Sequence, residues 1–452
     1  MQSKTVSAIY RNLEERSNFP EVTVEQLVRH GCPARHAFRL LGAEREPEKA
    51  QDILLREGAK SIRRTVRRYF RGAHRETFRP GNIRVLHGAV TADLFGTLAG
   101  VPVEVFPVPP DEYERTSPSY RVQAAAALHA WLLDPQTRES WIVLIDRNTQ
   151  GWKSYRLRGD FGPLGEVLAR EAAYLGGVRR GQLEPRGTAR DSTCRRCPYQ
   201  ASCSVRQEGR DASDFSLEVE GFTTQLDPLL TTVLDDYLWG MNRDKRMPGR
   251  ISPSHISTHP CDRAVAYGLM GKRERERVDP QLRRVFDAGH VFHDILQAAL
   301  GDAYPDFEAE VRLQHPTLPI SGAADGRRVS QRRLYEIKTI SDAGAEKLTG
   351  AKKDHRQQAA LYVGMDPSVD VVEYIYINKS TGELIAFEAE ADRDQWHIAA
   401  ERSEDVVKAV DAYGSGGGSL PPKLRGKDYT CKRCKFAWFC RPELIRAEDL
   451  ER

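Results

Sequence analysis

No apolar run in this sequence approaches membrane-spanning length, which excludes a helical membrane span. The first residues, MQSKTVSAIYRNLEERSNF, hold no apolar signal core, so a cytoplasmic location without membrane attachment is expected. A phosphate-binding G-x4-G-K-[ST] loop is also missing, so no P-loop nucleotide site is expected. Neither charge sign is in large excess. The 68 Lys and Arg against 64 Asp and Glu leave a net +4, which permits a nucleic-acid partner without arguing for one. Hydrophobic content of 40% and charged content of 29% are ordinary for a soluble globular protein. A chain of 452 residues is long enough for two or three domains, each with its own core.

The eight cysteines are what stands out. Clustered cysteines in a reducing compartment are metal ligands more often than disulfides. Cys194, Cys197 and Cys203 form C-x2-C-x5-C, and Cys431, Cys434 and Cys440 repeat that spacing. Cys32 and Cys261 stand alone upstream, one ahead of each trio. The set divides into two quartets of one plan, which suggests an internal duplication.

Other segments agree with a duplication. HGCPARHAFRLLG (30–42) lies over HPCDRAVAYGLMG (259–271) without a gap. Asp93 precedes Glu104 by 11 residues, as Asp325 precedes Glu336. Asp146 follows Glu104 by 42 residues, as Asn378 follows Glu336, and both lie in segments with hairpin patterning. Three segments follow: a half at 1–205, a linker at 206–247 with a helix over 227–240, and a half at 248–452. Asp227, Pro228 and Gly240 supply the stop and start signals of that helix.

Residues with chemistry are concentrated in the second half. In a strand over LYEIKTI, Glu336 and Lys338 share a face. Asp325, on a preceding strand, could meet Glu336 to hold a divalent cation, since Mg2+ and Mn2+ prefer carboxylate oxygens and water. Lys338 could then orient or activate a water and offset phosphate charge. The helix DAGHVFHDILQAAL carries His293, a possible third ligand, with His290 as its competitor. Downstream, Gln358 and Tyr362 share a helical face, with Lys352, Lys353 and Arg356 nearby as candidate nucleic-acid contacts.

Taken in order, Gly289-x-x-x-His293, Asp325, Glu336-x-Lys338 and Gln358-x-x-x-Tyr362 resemble the RecB-like branch of the PD-(D/E)XK nuclease superfamily. With the quartet Cys261, Cys431, Cys434 and Cys440 around them, they look like its iron–sulfur members, the CRISPR-associated exonucleases and AddB-type nucleases. The resemblance covers about residues 248–445. It implies an α/β fold of two tandem restriction-endonuclease-like domains, each a mixed central sheet flanked by helices and tied by four cysteines. It further implies that His293, Asp325 and Glu336 bind Mg2+ or Mn2+, with Ile337 a candidate for adding its backbone carbonyl. Lys338 would be catalytic, with Gln358 and Tyr362 beside it. Each cysteine quartet would hold an iron–sulfur cluster, 4Fe-4S in type, with zinc held by four thiolates as the runner-up. The implied activity is DNA hydrolysis, by an exonuclease or end-trimming enzyme, with any strand separation left to a partner such as a helicase or another DNA-processing protein.

The first half keeps the frame and loses these residues. Phe106 stands where Lys338 stands, Ile62 where His293 stands, and Ala127 where Tyr362 stands. A Phe on that face would fill the pocket and exclude water, so a pseudo-nuclease is expected there. Its use would be binding. Arg63, Arg64, Arg67, Arg68 and Arg71 form a basic helical stripe, interleaved with Tyr69 and Phe70, that could follow a DNA backbone. The rival reading is a non-catalytic iron–sulfur scaffold, or a partner-dependent subunit of a DNA repair, recombination or CRISPR adaptation complex.

Overall fold

The computed structural model describes residues 3–15, 22–29, 33–41, 49–183, 199, 221–241, 244–246, 249–258, 261–275, 278–424, 430–431 and 434–441. Contacts divide the chain into two compact units. One is Leu13–Tyr237; the other joins Met1–Asn12 to Leu238–Arg452.

The first unit contains β1 (Val22–Thr23), β2 (Phe78–Pro80), β3 (Ile83–Leu86), β4 (Val90–Asp93), β5 (Gly96–Leu98), β6 (Val101–Val108), β7 (Glu139–Asp146), β8 (Trp152–Arg158) and β9 (Thr223–Leu226). The main sheet has the order β2-β5-β6-β7-β8-β9, and β1-β4-β3 form a smaller one. In the main sheet β6 and β7 are parallel and the other neighbours antiparallel. A parallel pair needs a crossover, and the helix Tyr120–Leu133 supplies it. Its alanines Ala124 to Ala127 are all buried in the core, where short side chains let a helix lie close to a sheet. The segment read from sequence as a linker contributes β9 to this sheet, paired with β8. The helix expected over 227–240 forms as Leu229–Gly240, with Asp227 accepting from the Leu229 N–H and Leu230, Leu234 and Leu238 buried.

The second unit has a two-stranded ribbon of β10 (Asp244–Arg246) and β11 (Arg273–Arg275). Its main sheet is β12 (Phe307–Gln314), β13 (Ser321–Arg328), β14 (Arg333–Ile340), β15 (Val371–Asn378) and β16 (Leu384–Glu390), in chain order. Only β14 and β15 in that sheet are parallel, and the helix Lys353–Met365 crosses between them. The succession antiparallel, parallel, antiparallel therefore runs through β5-β6-β7-β8 and again through β13-β14-β15-β16. The helix Pro280–Ala303 precedes the sheet. Asp279 caps it by accepting from the Leu282 N–H, and Pro280 occupies its first turn.

The amino-terminal helix Lys4–Glu15 begins on this second unit. The Ser3 and Thr5 hydroxyls donate to the two oxygens of buried Glu373 at 2.5 and 2.6 Å. Arg333 supplies the counter-charge to the same carboxylate at 2.7 Å. The Tyr10 hydroxyl accepts from the Leu384 N–H. Among the described residues no helix is long and apolar enough to cross a membrane.

Candidate active site

The β13–β14 ladder pairs Gly326 with Tyr335 and ends there, so the strands part at Asp325. Parting leaves a buried strand N–H without a ladder partner, a costly state unless another acceptor takes it. The Asp325 carboxylate does so, with Oδ2 accepting from the Ile337 N–H at 2.6 Å. Its other oxygen lies 3.4 Å from His293 Nδ1, which projects from the Pro280–Ala303 helix. His290, on the same helix, is exposed. On β14, Glu336 and Lys338 share a face as expected, and the Lys338 ammonium contacts Glu336 Oε1 and lies 3.6 Å from Asp325 Oδ2. Three elements thus bring His293, Asp325, Glu336 and Lys338 together.

The electrostatics follow from burial. Burial pushes the Glu336 carboxyl up to about 8, with Asp325 adding to it and Lys338 only partly offsetting it. Burial works the same way on Asp325, but the His293 contact, the Lys338 ammonium and the Ile337 N–H outweigh it and hold Asp325 below the usual carboxylate range. Burial alone would lower Lys338, yet Glu336 and Asp325 hold its ammonium firmly protonated. Two close carboxylates need a positive charge beside them, and Lys338 provides it. Among the described residues no three His, Cys, Asp or Glu side chains close into a metal-holding group.

The Lys353–Met365 helix covers this face. Tyr362 donates to the Ala323 carbonyl at 2.7 Å, and Gln358 lies 3.4 Å from the Tyr362 hydroxyl. Gly322 makes room for that ring, since a Cβ there would stand 3.1 Å from Tyr362. Lys352, Lys353 and Arg356 are exposed at the start of the helix.

Four contacts at the site escaped the sequence reading. Gln297, one turn beyond His293, donates to the Asp325 carbonyl and to Glu310 Oε1, each at 2.8 Å. Glu310 has a left-handed backbone with φ 52°, a conformation that costs a non-glycine residue roughly 1–2 kcal/mol. His355 Nδ1 lies 2.9 Å from the Tyr376 hydroxyl, which accepts from the Lys352 N–H at 3.0 Å. Burial, helped by Lys338 and Lys352 and opposed by Asp354 and Asp325, pushes His355 down to about 4, so the ring is neutral at pH 7. The spacings His293-x-x-x-Gln297 and His355-x-x-Gln358 were the available signals.

The cysteines of the second unit share one small pocket. Cys261, Cys431, Cys434 and Cys440 line it together with Tyr267 and Phe436, whose rings pack 5.5 Å apart. Cys261 precedes the first residue of the helix Asp262–Leu269, and Cys440 ends the short helix Ala437–Cys440. Burial, augmented by the three neighbouring thiols, pushes the Cys434 thiol up to about 11. Four thiols in an apolar pocket are a donor set that suits a soft cation or an iron–sulfur cluster. Cys32, Cys194, Cys197 and Cys203 lie outside the described residues.

The first unit differs from expectation around Glu104. Its carboxylate is fully buried and held by Arg63 Nη2 at 3.0 Å, by the Phe95 N–H at 2.8 Å and by His129 Nδ1 at 3.2 Å. Arg63 is therefore not part of a solvent-facing stripe. Its guanidinium turns inward because a buried carboxylate without a counter-charge is unstable. Arg67 also bends back, to the Leu94 carbonyl at 3.0 Å, while Arg64, Arg68 and Arg71 remain exposed. Tyr69 and Phe70 lie in the core and do not interleave with the basic face. Phe106 is half-buried, and Arg63 and His129, rather than Phe106, surround Glu104. Asp93 sits in the smaller sheet, 3.5 Å from Arg67.

Burial alone would raise Glu104, but His129, Arg63 and the Phe95 N–H hold it below its ordinary value. Burial alone would lower His129, but Glu104 and, more weakly, Glu25 hold it above. The depressed Glu104 contributes stability that is present above its unfolded pKa and lost as pH falls through its folded pKa. The raised His129 contributes stability that is present below its unfolded pKa and lost as pH rises through its folded pKa. Stability from this network is expected to be greatest between the two. Arg63→Met, which strands the Glu104 carboxylate, is expected to cost roughly 3–5 kcal/mol in denaturant titrations of the full chain. A loss below about 1 kcal/mol, the value of an exposed pair, would contradict the buried pairing.

No protein-family model matches the sequence, and no curated protein matches it. Among solved structures, the chain is similar to SSO0001 at 19% identity, over 44% of this chain and 88% of that one, with a TM-score of 0.30. It is also similar to LHK-Exo, an alkaline exonuclease from Laribacter hongkongensis, at 12% identity over 40% of this chain and 95% of that one, with a TM-score of 0.31. The same exonuclease in complex with dAMP aligns at 14% identity over 37% and 91%, again at 0.31. TM-scores this low do not carry a functional conclusion, which rests on the geometry of the site.

Proposed function

We propose that the second unit is a metal-dependent DNA nuclease of the RecB-like type, hydrolysing phosphodiester bonds from a strand end. The observation that supports this reading is the meeting of one imidazole, two carboxylates and one lysine at the point where β13 and β14 part. His293, Asp325 and Glu336 would hold the cation, with the Ile337 carbonyl as a further donor. This nitrogen and oxygen set fits Mg2+ or Mn2+. When bound, that cation would polarise the phosphate and make its water a stronger nucleophile. The Ile337 N–H and His293 aim the Asp325 carboxylate, and Gln297 ties the Asp325 backbone to the His293 helix. Lys338 would position the attacking water and offset charge on the phosphate as it builds. Tyr362, anchored to Ala323, would fix the wall beside it.

The cysteine pocket would hold a 4Fe-4S cluster, with zinc as the alternative, and the first quartet would do likewise. The first unit would be a pseudo-nuclease that shapes the DNA path. Its Glu104 is already neutralised by Arg63 and His129 and lacks a lysine on its strand. The exposed face of Arg64, Arg68 and Arg71 would contact phosphates. Substituting all three by alanine is expected to lower the salt dependence of DNA binding by about 0.9 in log–log slope for each lost phosphate contact. Fluorescence anisotropy against salt concentration reads this directly, and an unchanged slope removes these arginines from the DNA interface.

The nuclease reading is tested with end-labelled single- and double-stranded DNA, Mn2+ or Mg2+, and anaerobically purified protein. Cation-dependent shortening supports it, and the position of the label gives the polarity. No cleavage by a chain with intact cysteine sites would favour the scaffold or partner-dependent reading.

A further inference from the structure

We infer that His355 is a further substrate-contacting residue of this site, with Nε2–H held ready to donate to a phosphate oxygen beside Lys338. The inference rests on the nuclease reading and deepens it. Three hydrogen-bonding groups determine where the imidazole proton sits. The Lys352 backbone can only donate, and it donates to the Tyr376 hydroxyl oxygen at 3.0 Å. The hydroxyl could accept a second bond, but its own buried proton meets no other acceptor among the described residues, so we assign that proton to His355 Nδ1, at 2.9 Å. An imidazole that accepts at Nδ1 and is neutral carries its proton on Nε2. Asp354 Oδ2 lies 3.8 Å from Nε2, beyond hydrogen-bond length. Among the described residues no hydrogen bond claims that donor.

The donor is also in the right place. In the parallel register of β14 and β15, Lys338 stands beside Tyr376, so the two side chains share a face. Tyr376 is buried, its ring edge-on to Phe387, and His355 lies against it with ring centroids 5.5 Å apart. The His355 side chain is 15% exposed, the same as Asp325 and less than Lys338 at 23%. The charges of Lys338 and Asp325 both act on the imidazole, which places the ring near the proposed site. Around it Lys352, Lys353 and Arg356 supply charge, while the neutral ring supplies direction. An N–H donor of fixed orientation can select one phosphate oxygen, which flexible surface lysines do poorly.

The test compares wild type with His355→Ala, His355→Gln and Tyr376→Phe in the full, anaerobically purified chain. Kinetics on end-labelled DNA are read with Mn2+, alongside Mn2+ affinity by calorimetry and the thermal midpoint. His355→Ala is expected to lower kcat/KM roughly 10- to 100-fold, the value of one hydrogen bond to a charged group. Mn2+ affinity and the midpoint should stay unchanged. His355→Gln, which keeps a neutral N–H donor, should recover part of the loss. Tyr376→Phe, which frees the tautomer, should fall between. Wild-type kinetics in His355→Ala, with Lys338→Ala inactive, would overturn the inference and leave the nuclease reading standing. A wild type that does not cleave would remove the nuclease reading instead. The contact is then read by anisotropy of a fluorescent oligonucleotide in Ca2+, where weaker binding by His355→Ala supports it and equal binding overturns it. Should His355→Ala unfold, His355→Gln and Tyr376→Phe carry the same comparison.

Discussion

Lys338→Ala is expected to reduce Mn2+-dependent DNA cleavage about a thousandfold, the scale of removing one group that stabilises charge in a transition state. The ammonium faces both carboxylates, touching Glu336 and lying 3.6 Å from Asp325. Its removal leaves the proposed cation ligands in place, so Mn2+ binding should persist while turnover falls. Glu336→Gln should do the reverse and weaken Mn2+ binding, because it deletes a carboxylate of the proposed cation site. A single experiment therefore separates two roles: calorimetry reads the ligand, and single-turnover cleavage reads the lysine. Cleavage that survives Lys338→Ala would place the active site elsewhere in the chain.

Cys261→Ser is expected to destabilise the second unit. Cys261 and Cys431 are 170 residues apart in sequence yet line the same pocket. A link that closes so long a loop restricts the unfolded chain strongly. By comparison with covalent cross-links, its loss should cost roughly 2–5 kcal/mol. A domain's whole stability is about 5–15 kcal/mol. The variant should therefore lose the proposed metal or cluster and unfold at markedly lower temperature. Iron and zinc analysis with visible absorption distinguishes the two proposed occupants in the wild type. A Cys261→Ser protein with unchanged metal content and thermal midpoint would exclude Cys261 as a ligand.

The parts of the site that could be read in advance are those set by the period of one element. Glu336 and Lys338 alternate along a strand, and Gln358 and Tyr362 recur along a helix, so a common face follows from spacing. His355 could not be read this way, because its role depends on Tyr376, a residue on another strand whose register brings it beside Lys338. Arg63 was misread for a related reason. A stripe of arginines on a helix has one geometry in sequence, and which of them turns inward depends on where the sheet presents a buried carboxylate. The paired residues of β14 and the spacing of the cysteine trios came from local pattern, which every residue carries with it, and the mixed α/β architecture came from the resemblance that those motifs carry. Tertiary packing settled the rest. It parted β13 from β14 at Asp325, bringing His293 against that carboxylate. It placed Ser3 and Thr5 on Glu373, and it gave the supposed linker strand β9 to the first sheet. Buried polar groups must find partners wherever the chain offers them, and the nearest one in space is often far away in sequence.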